Sequence, residues 1–290
     1  MTRRCSERSF LLRPDSFVTE LLLYVLGYAV GLLGLEVHAV VALSNHWHLI
    51  VTDRRGNVCR FFEIAHAIIA RAMNCCRGRW GPVWEPGRLS LVELVTPEAI
   101  MDKLVYLLAN PCASDLVGQA RVWPGLITLP QDIVGQREYV TARPAKFFDK
   151  SGLMPASTRF SLRRPPGFGH LSDDELLFQI NERLAKRERE QKNRRRREKR
   201  RVLGAARVKT QDPYARAQSF ERRRVRVPHI ACPDTQRRIA ELRALKSFRA
   251  EYRIARVRFE AGQRRVLFPH GTYLLARRYK LHCRDPDPGL

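Results

Sequence analysis

The sequence predicts an α+β fold, in which an antiparallel sheet carries helices on one face and a basic, mainly helical extension follows. Two observations predict it. Short apolar segments with the two-residue period of strands alternate with segments whose apolar residues recur at helical spacing, and this alternation weakens after Trp123. The 290 residues also carry a formal net charge of +24, with a dense basic block in the second half. A chain of this length can form one sizeable core and a smaller second unit.

The predicted elements begin at the N-terminus. TRRCSERSFLL alternates loosely and predicts a strand. Asp15 or Ser16 can cap a helix that runs through Leu33, with Gly34 as its C-terminal stop. EVHAVVAL and SNHWHLIVT are rich in apolar and β-branched residues around a Ser-Asn turn signal. They predict two adjacent antiparallel strands, which form a hairpin.

A second helix and strand follow the hairpin. From Asn57 to Cys76 the apolar residues have helical spacing. GRWGPVWEPGR predicts a loop and LSLVELV a short strand. Thr96 caps a further helix, which has Pro97 in its first turn, runs to Ala109 and stops before Pro111. The order β-α-β-β-α-β-α is close to the split βαβ arrangement of ferredoxin-like domains.

The chain divides into four predicted regions. Residues 1–123 form the α+β domain, and residues 124–180 an irregular connecting segment. Residues 181–226 form a basic arm or helix, because they hold 19 Lys and Arg against 6 Asp and Glu. Such a block either binds phosphate or is a solvated helix without a partner. Residues 227–290 form a C-terminal helical and aromatic region.

Charge and cysteine content limit the classes of function and compartment. A pI near 10.7 predicts binding to polyanions, above all nucleic acid. The seven cysteines are odd in number and form no C-x-x-C pair, which favours free thiols in a reducing compartment. The longest apolar run, Leu21 to Leu35, is short for a membrane span. These features predict a soluble cytoplasmic protein with no membrane partner.

The stretch SNHWHLIV places His46 and His48 one residue apart. On a strand, side chains at this spacing share a face, about 6–7 Å apart at their Cα atoms, so both imidazoles can reach one cation. Trp47 then points the opposite way, into the core. The alternative is two ordinary strand histidines, because a lone H-x-H pattern is weak evidence for a metal. His38 is expected to be structural, and His66, on a helix, is expected to be a core or a surface residue.

Tyr106 and Asn110 are four residues apart on the last helix of this domain and therefore share a helical face. Asn110 offers a carbonyl oxygen to a divalent ion, and Tyr106 a phenolic nucleophile. The alternatives are an amphipathic core tyrosine and a helix cap before Pro111. Lys103 lies one turn before Tyr106 and is either a phosphate contact or a surface lysine.

Several ordered motifs carry a resemblance to a known family. They are ALSNHWHLIV, an asparagine within a helix (Asn74), the loop GPVWEPGR, and YLLANP from Tyr106 to Pro111. Together they resemble the single-tyrosine HUH transposases, in particular the REP-associated tyrosine transposases and their insertion-sequence relatives. The resemblance spans about residues 2–123. Where the family usually has V-R-A-G-L-V, this chain has CASDLV, which loses a basic residue and introduces Asp115.

The resemblance implies a catalytic domain over residues 1–123 that cleaves and rejoins single-stranded, hairpin-flanked DNA. Tyr106 would form a 5′-phosphotyrosine, and His46, His48 and Asn110 would hold Mg²⁺ or Mn²⁺. Because a free phenol titrates near pH 10, the metal or a group such as Lys103 must help to deprotonate the nucleophile. We expect a monomer or homodimer associated with the nucleoid. The residues expected to contact DNA are Lys103, Arg88, Trp84, Arg194, Arg195, Arg196 and Arg197.

Three readings remain open from the sequence. The first is the transposase. The second is a catalytically inactive, domesticated relative that binds DNA or RNA hairpins. The third is a metal-dependent phosphohydrolase that uses water as its nucleophile and therefore tolerates loss of the Tyr106 hydroxyl.

Trp80 or Trp84 could stack a splayed base, although aromatic residues in such loops are often local core plugs.

Overall fold

A computed structural model describes residues 1–149, 151–219 and 228–284. The fold is mixed α/β, with an antiparallel sheet and several helices. The strands are β1 (Thr2–Cys5), β2 (Glu36–Leu43), β3 (His46–Thr52), β4 (Trp84–Ser90), β5 (Glu93–Leu94), β6 (Glu138–Ala142), β7 (Ser157–Ser161) and β8 (Ile230–Ala231). The helices are α1 (Ser16–Leu33), α2 (Val58–Arg77), α3 (Pro97–Ala113), α4 (Pro130–Val134), α5 (Asp173–Arg197), α6 (Ala205–Thr210), α7 (Thr235–Glu260) and α8 (Tyr273–Tyr279).

The main sheet has four strands in the order β2-β3-β1-β4, and each neighbouring pair is antiparallel. The predicted hairpin of β2 and β3 is confirmed. In the register of β1 with β3, Thr2 lies opposite His48 and Arg4 opposite His46. The histidine strand therefore lies inside the sheet, where neighbours on both sides fix its backbone.

Local signals explain the ends of the first two helices. The Asp15 side chain accepts a hydrogen bond from the Val18 amide and caps α1, and Gly34 ends it at φ 71°. Gly78 ends α2 in the same left-handed conformation. α1 is long and apolar enough to cross a bilayer by length and composition, and here it packs against α2, β6 and β7.

Several predicted boundaries are wrong. The first strand ends at Cys5, and the segment LSLVELV is divided between the end of β4 and β5, which pairs with β8 in a separate sheet. β4 begins at Trp84, inside the segment expected to be a loop, because Trp84 pairs with Cys5 of β1. α3 continues past Pro111 to Ala113. A proline lacks one amide donor, and within the last turn of a helix this loss is small since the following amides still find carbonyls. The Ser114 amide bonds to the Asn110 carbonyl, and the Leu116 amide to the Pro111 carbonyl.

The helices do not all lie on one face of the sheet. Trp47 contacts His66 of α2 on one side, whereas His48, which alternates with it, contacts Asn110 and Tyr106 of α3 on the other. α3 thus covers the histidine face, which corrects the one-face prediction. The physical reason is that the histidine face also carries apolar residues, Ile50 of β3 and Val41 of β2 opposite His48, and both are buried.

Residues 124–180, expected to be irregular, contain regular structure. α4 is followed by the antiparallel pair β6 and β7, which packs on α1. Ser172 and Glu175 form a capping box that starts α5 before the predicted basic region begins. The part of that region at 220–226 lies outside the described residues. Farther on, a small separate core forms from Ala255, Val266 and Phe268.

Candidate functional site

The two histidines of β3 lie side by side on the α3 face. Their ring centroids are 4.7 Å apart at an interplanar angle of 86°. Trp47 between them is fully buried, and its indole Nε1 donates to Nε2 of His66 at 3.2 Å. The strand alternation predicted from the sequence is therefore confirmed. His38 is also structural, because its ring bonds to the Arg163 carbonyl and the Thr52 hydroxyl, each at 2.8 Å.

Neighbouring polar groups define which nitrogen of each imidazole carries the proton. The Asn45 side chain donates its amide to the Arg8 carbonyl, so its oxygen faces Nδ1 of His46 at 2.6 Å. Thr2 Oγ1 lies 2.7 Å from Nδ1 of His48. The Asn45 oxygen therefore accepts from Nδ1–H of His46. A hydroxyl can donate or accept at Nδ1 of His48, so the proton of that ring is assigned from its other side: the Asn110 amide group, which can only donate, lies 3.2 Å from Nε2 and meets the lone pair there. A lone pair on a neutral imidazole is what a metal ligand requires.

Burial keeps both imidazoles neutral near pH 7. Desolvation, with the charges of Arg4 and Arg8 added to it, lowers the pKa of His46 to about 4, against a smaller raising effect of the Asn110 hydrogen bond. The pKa of His48 lies well below its usual value, chiefly because of burial and the neighbouring His46. The positive charges of this region thus oppose protonation of the pair.

α3 brings Asn110 and Tyr106 to these rings. Nδ2 of Asn110 lies 3.2 Å from Nε2 of His48, and its carboxamide oxygen accepts from the Ser114 hydroxyl at 3.4 Å. The Tyr106 ring meets the His48 ring edge-on, with 6.1 Å between centroids. Tyr106 is 45% exposed, whereas His48 is 7% exposed. The phenol therefore lies at the mouth of the site and the imidazole at its floor.

Lys103 also belongs to this site. Its ammonium lies 5.3 Å from the centroid of the Tyr106 ring, and its charge contributes to the lowered pKa of His48. A phosphate held at Tyr106 would lie within the field of this charge. Lys103 therefore lies beside Tyr106, and its contact with phosphate stays a prediction.

The donor set fits a divalent cation in its chemistry. Imidazole nitrogens are ligands of divalent transition metals, and a carboxamide oxygen is a ligand of Mn²⁺ and Mg²⁺, so this mixed set suits Mn²⁺ better than Mg²⁺. Among the described residues, no group of three His, Cys, Asp or Glu side chains has the placement of a metal site. The candidate site therefore depends on the Asn110 carboxamide as its third ligand.

Of the residues expected to contact DNA, Trp84 lies in the core. Trp84 is 7% exposed, donates from its indole to the His66 carbonyl at 2.9 Å and stacks on Trp47. The expectation for Trp84 is therefore wrong, because its pairing with β1 turns the indole into the core. Arg88 lies in β4, and its side chain is outside the described part of the chain.

The arginine run on α5 is divided between two roles. Arg194 and Arg195 both pair with Asp115, and Arg195 also donates to the Cys112 carbonyl at 2.9 Å. Arg200 completes this group at 3.0 Å from Asp115. The expectation that Arg194 and Arg195 contact DNA is thus corrected. Arg196 and Arg197 are exposed.

A basic cleft of about 790 Å³ lies beside this cluster. We call it the basic cleft, and its charged lining is Glu188, Arg189, Lys192, Arg195, Arg196, Arg200 and Arg201. Glu188, the single acid of this lining, already accepts from the Ala120 amide at 2.7 Å. The residues after α5 are fixed to the end of α3, because the amides of Leu203 and Gly204 bond to the carbonyls of Asp115 and Leu116.

The sequence reasoning missed three residues that shape the site. Thr2 and Asn45 orient the imidazoles, and Asp115 ties the basic helix to α3. Asn45 carried a signal, since it directly precedes His46. Thr2 carried none, because its partner lies 46 residues away along the chain. Asp115 stood out as an acid in place of a basic residue of the family pattern, but its arginine partners lie about 80 residues away.

The chain was compared with protein-family models, with curated proteins and with solved structures, and none of the three comparisons found a match.

Proposed function

We propose that this protein cleaves and rejoins single-stranded DNA with Tyr106 as the nucleophile, in the manner of a transposase. The observation that carries the proposal is the contact of the exposed Tyr106 phenol with the buried His48, whose Nε2 also meets Asn110. A nucleophile at the mouth of a cation site is the arrangement that phosphodiester transfer requires.

The topology supports a ferredoxin-like arrangement for this site. The elements follow the order β1-α1-β2-β3-α2-β4, and the sheet order is β2-β3-β1-β4. This agrees with the split βαβ motif. The motifs SNHWHLIV and YLLANP support the transposase assignment through their resemblance to the single-tyrosine HUH family. The helices α5 to α8 after the sheet domain support a basic, mainly helical extension.

His46, His48 and Asn110 are the residues that would hold the cation. When bound, Mg²⁺ or Mn²⁺ supplies polarisation of the scissile phosphate. The protein residues prepare that site in advance. Thr2 and Asn45 hold both rings with Nε2 toward Asn110, and burial keeps the rings neutral.

Tyr106 performs the covalent step. Its oxygen bonds to phosphorus while the bond from phosphorus to the 3′ oxygen breaks, and the departing 3′ oxygen takes up a proton. Lys103, together with the cation that this site would hold, favours the phenolate, and the phenol proton passes to solvent at the exposed ring. Lys103 balances the negative charge that gathers at the phosphate. Attack by a second 3′-hydroxyl reverses the step and restores the phenol, so that no nucleotide cofactor is consumed.

The basic cleft is the second DNA contact of this proposal. Arg189, Lys192, Arg196 and Arg201 line one surface, and its one acid is already bonded to the backbone. Such a surface binds phosphate without reading sequence. Because the segment after α5 is bonded to the end of α3, DNA in the cleft would be held at a fixed place relative to the helix of Tyr106.

The test is a covalent-adduct assay. The full chain is incubated with a 3′-labelled single-stranded hairpin DNA and Mn²⁺, and a denaturing gel is used to detect label that migrates with the protein. We expect an adduct with wild type and none with Tyr106→Phe. That variant should keep the wild-type melting temperature, because it removes only an exposed hydroxyl.

Two other outcomes would contradict the proposal. Cleavage that survives in Tyr106→Phe indicates a hydrolase with a water nucleophile. Hairpin binding by wild type without any adduct or cleavage, in Mg²⁺ and in Mn²⁺, indicates a binding protein instead.

A further inference from the structure

Trp80 differs from every other tryptophan of the chain. All four tryptophans lie in the described residues, and Trp47, Trp84 and Trp123 are at most 7% exposed, whereas Trp80 is 95% exposed. Its indole therefore contributes nothing measurable to the core. The whole face of this indole is therefore open to a ligand.

The turn that carries Trp80 is held on both sides. Gly78 ends α2, and the Arg79 amide bonds to the Asn74 carbonyl at 3.0 Å. The Asn74 side chain donates to the Gly81 carbonyl at 2.8 Å and accepts from the Arg79 guanidinium at 3.1 Å. The indole thus lies on a fixed backbone. Binding of a ligand would therefore cost little conformational entropy in this turn.

The turn lies at the same end of the sheet as the candidate site. A chain of contacts joins them: the Ser6 amide bonds to the Val83 carbonyl at 2.8 Å, and the neighbouring Cys5 amide bonds to the Asn45 carbonyl at 2.7 Å. Asn45 in turn contacts His46 at 2.6 Å. The Trp80 turn follows α2, on the opposite face of the sheet from His48, so a DNA strand that touches both must pass around this end of the sheet.

Positive charge and a second aromatic ring accompany Trp80. The charges of Arg4 and Arg8 act on His46, and Arg79 directly precedes Trp80. Tyr214 is 51% exposed, and its hydroxyl donates to the Arg77 carbonyl, three residues before Trp80. Exposed aromatic rings among arginines are typical of surfaces that bind single-stranded nucleic acid.

We propose that Trp80 stacks on an unpaired base of single-stranded DNA whose backbone runs past His46. This inference rests on the proposed function and names the part of the substrate that the Trp80 turn recognises. An indole requires the open face of a base, which a duplex covers except at its ends. Stacking on an aromatic ring tolerates every base, so the contact selects unpaired DNA rather than a sequence.

The test uses the fluorescence of Trp80. A Tyr106→Phe background prevents cleavage, and the protein is titrated with a thymidine homopolymer, with an abasic oligomer of the same length, and with a blunt duplex. We expect the thymidine oligomer to quench the emission and the abasic oligomer to leave it unchanged. Adding Trp80→Ala should abolish the quenching and weaken thymidine binding about tenfold, or about 1.4 kcal/mol. Trp80→Phe should restore part of the affinity.

Several outcomes would overturn the inference. They are equal quenching by the abasic oligomer or the duplex, thymidine binding that is unchanged in Trp80→Ala, and equal loss of abasic binding in that variant. A change in sedimentation with Trp80→Ala would instead assign the indole to self-association. Failure here leaves adduct formation by wild type untouched, and failure of the adduct assay does not alter a titration made in Tyr106→Phe. The two proposals can therefore fail separately.

Discussion

Nδ2 of Asn110 lies 3.2 Å from Nε2 of His48, although 62 residues separate them along the chain. The carboxamide and the imidazole therefore share one small volume between α3 and the sheet. With His46 beside them, they place three uncharged polar groups where the charges of Arg4 and Lys103 oppose protonation of His48. Four predictions follow from this site and its surroundings.

The first prediction concerns metal binding. Mn²⁺ should raise the melting temperature of the protein, because a ligand of the folded state stabilises it by about 2.7 kcal/mol at 100 times its Kd. His46→Ala and Asn110→Ala should each remove most of this increase, while the control His229→Ala, at an exposed histidine, should keep it. Thermal unfolding with Mn²⁺ and with a chelator measures the effect. An increase of the same size in all variants would place the ion elsewhere.

The second prediction concerns stability in acid. Burial lowers the pKa of His66 to about 3, and its Nε2 accepts from the Trp47 indole. As the pH falls below about 6.5, the His66 imidazole binds a proton in the unfolded chain but stays neutral in the folded chain. The free energy of unfolding should therefore fall by about 1.4 kcal/mol per pH unit between roughly pH 6 and 4 from this group, and the loss should end below the folded pKa.

Denaturant unfolding at several pH values checks this. His46, whose pKa lies at about 4, adds to the same slope. His66→Gln keeps an acceptor for the Trp47 indole but does not titrate, so its free energy of unfolding should depend less on pH than that of wild type. Identical slopes for the two proteins would show that His66 does not cause the acid sensitivity.

The third prediction concerns the joint between α5 and α3. Asp115→Asn removes the partner of Arg194, Arg195 and Arg200. Because Arg195 is buried, the loss should cost about 3 kcal/mol in the free energy of unfolding. The matched control is Glu198→Gln, whose carboxylate lies 3.6 Å from Arg194 and Arg200 at the surface and should cost less than about 1 kcal/mol. Equal costs would mean that Asp115 is not the anchor of the basic helix.

The fourth prediction concerns the basic cleft. Replacing Lys192 and Arg196 by glutamine should weaken binding to DNA of any sequence and reduce its salt dependence. The slope of log K against log salt should become shallower by about 0.9 for each lost phosphate contact on duplex DNA, and by about 0.7 on single strands. The control replaces Arg60 and Arg256, two surface arginines paired with Glu63 and Glu260, and removes the same charge. An equal change in that control would show that the lower net charge alone weakens DNA binding.

The sequence predicted the elements whose signals are local. The caps at Asp15 and Thr96 and the glycine stop at Gly34 act within a few residues, and all three are found in the structure. The start of β4 and the end of α3 were not predicted, because each depends on hydrogen bonds to residues outside the local sequence pattern. Trp84 is a strand residue only because Cys5 pairs with it, and Pro111 is tolerated because the amides after it find carbonyls in the last turn.

The candidate site divides in the same way. Spacing alone determined that His46 and His48 share a face and that Tyr106 and Asn110 share another, because strand and helix periods are properties of the local backbone. Whether these two faces meet depended on the packing of α3 against β3, which the whole chain decides. Tertiary packing also decided which arginines and tryptophans are available to a ligand. Arg195 is paired with Asp115, and Trp84 is buried in the core. Arg196 and Trp80 stay in contact with solvent, since no distant partner covers them in the described structure.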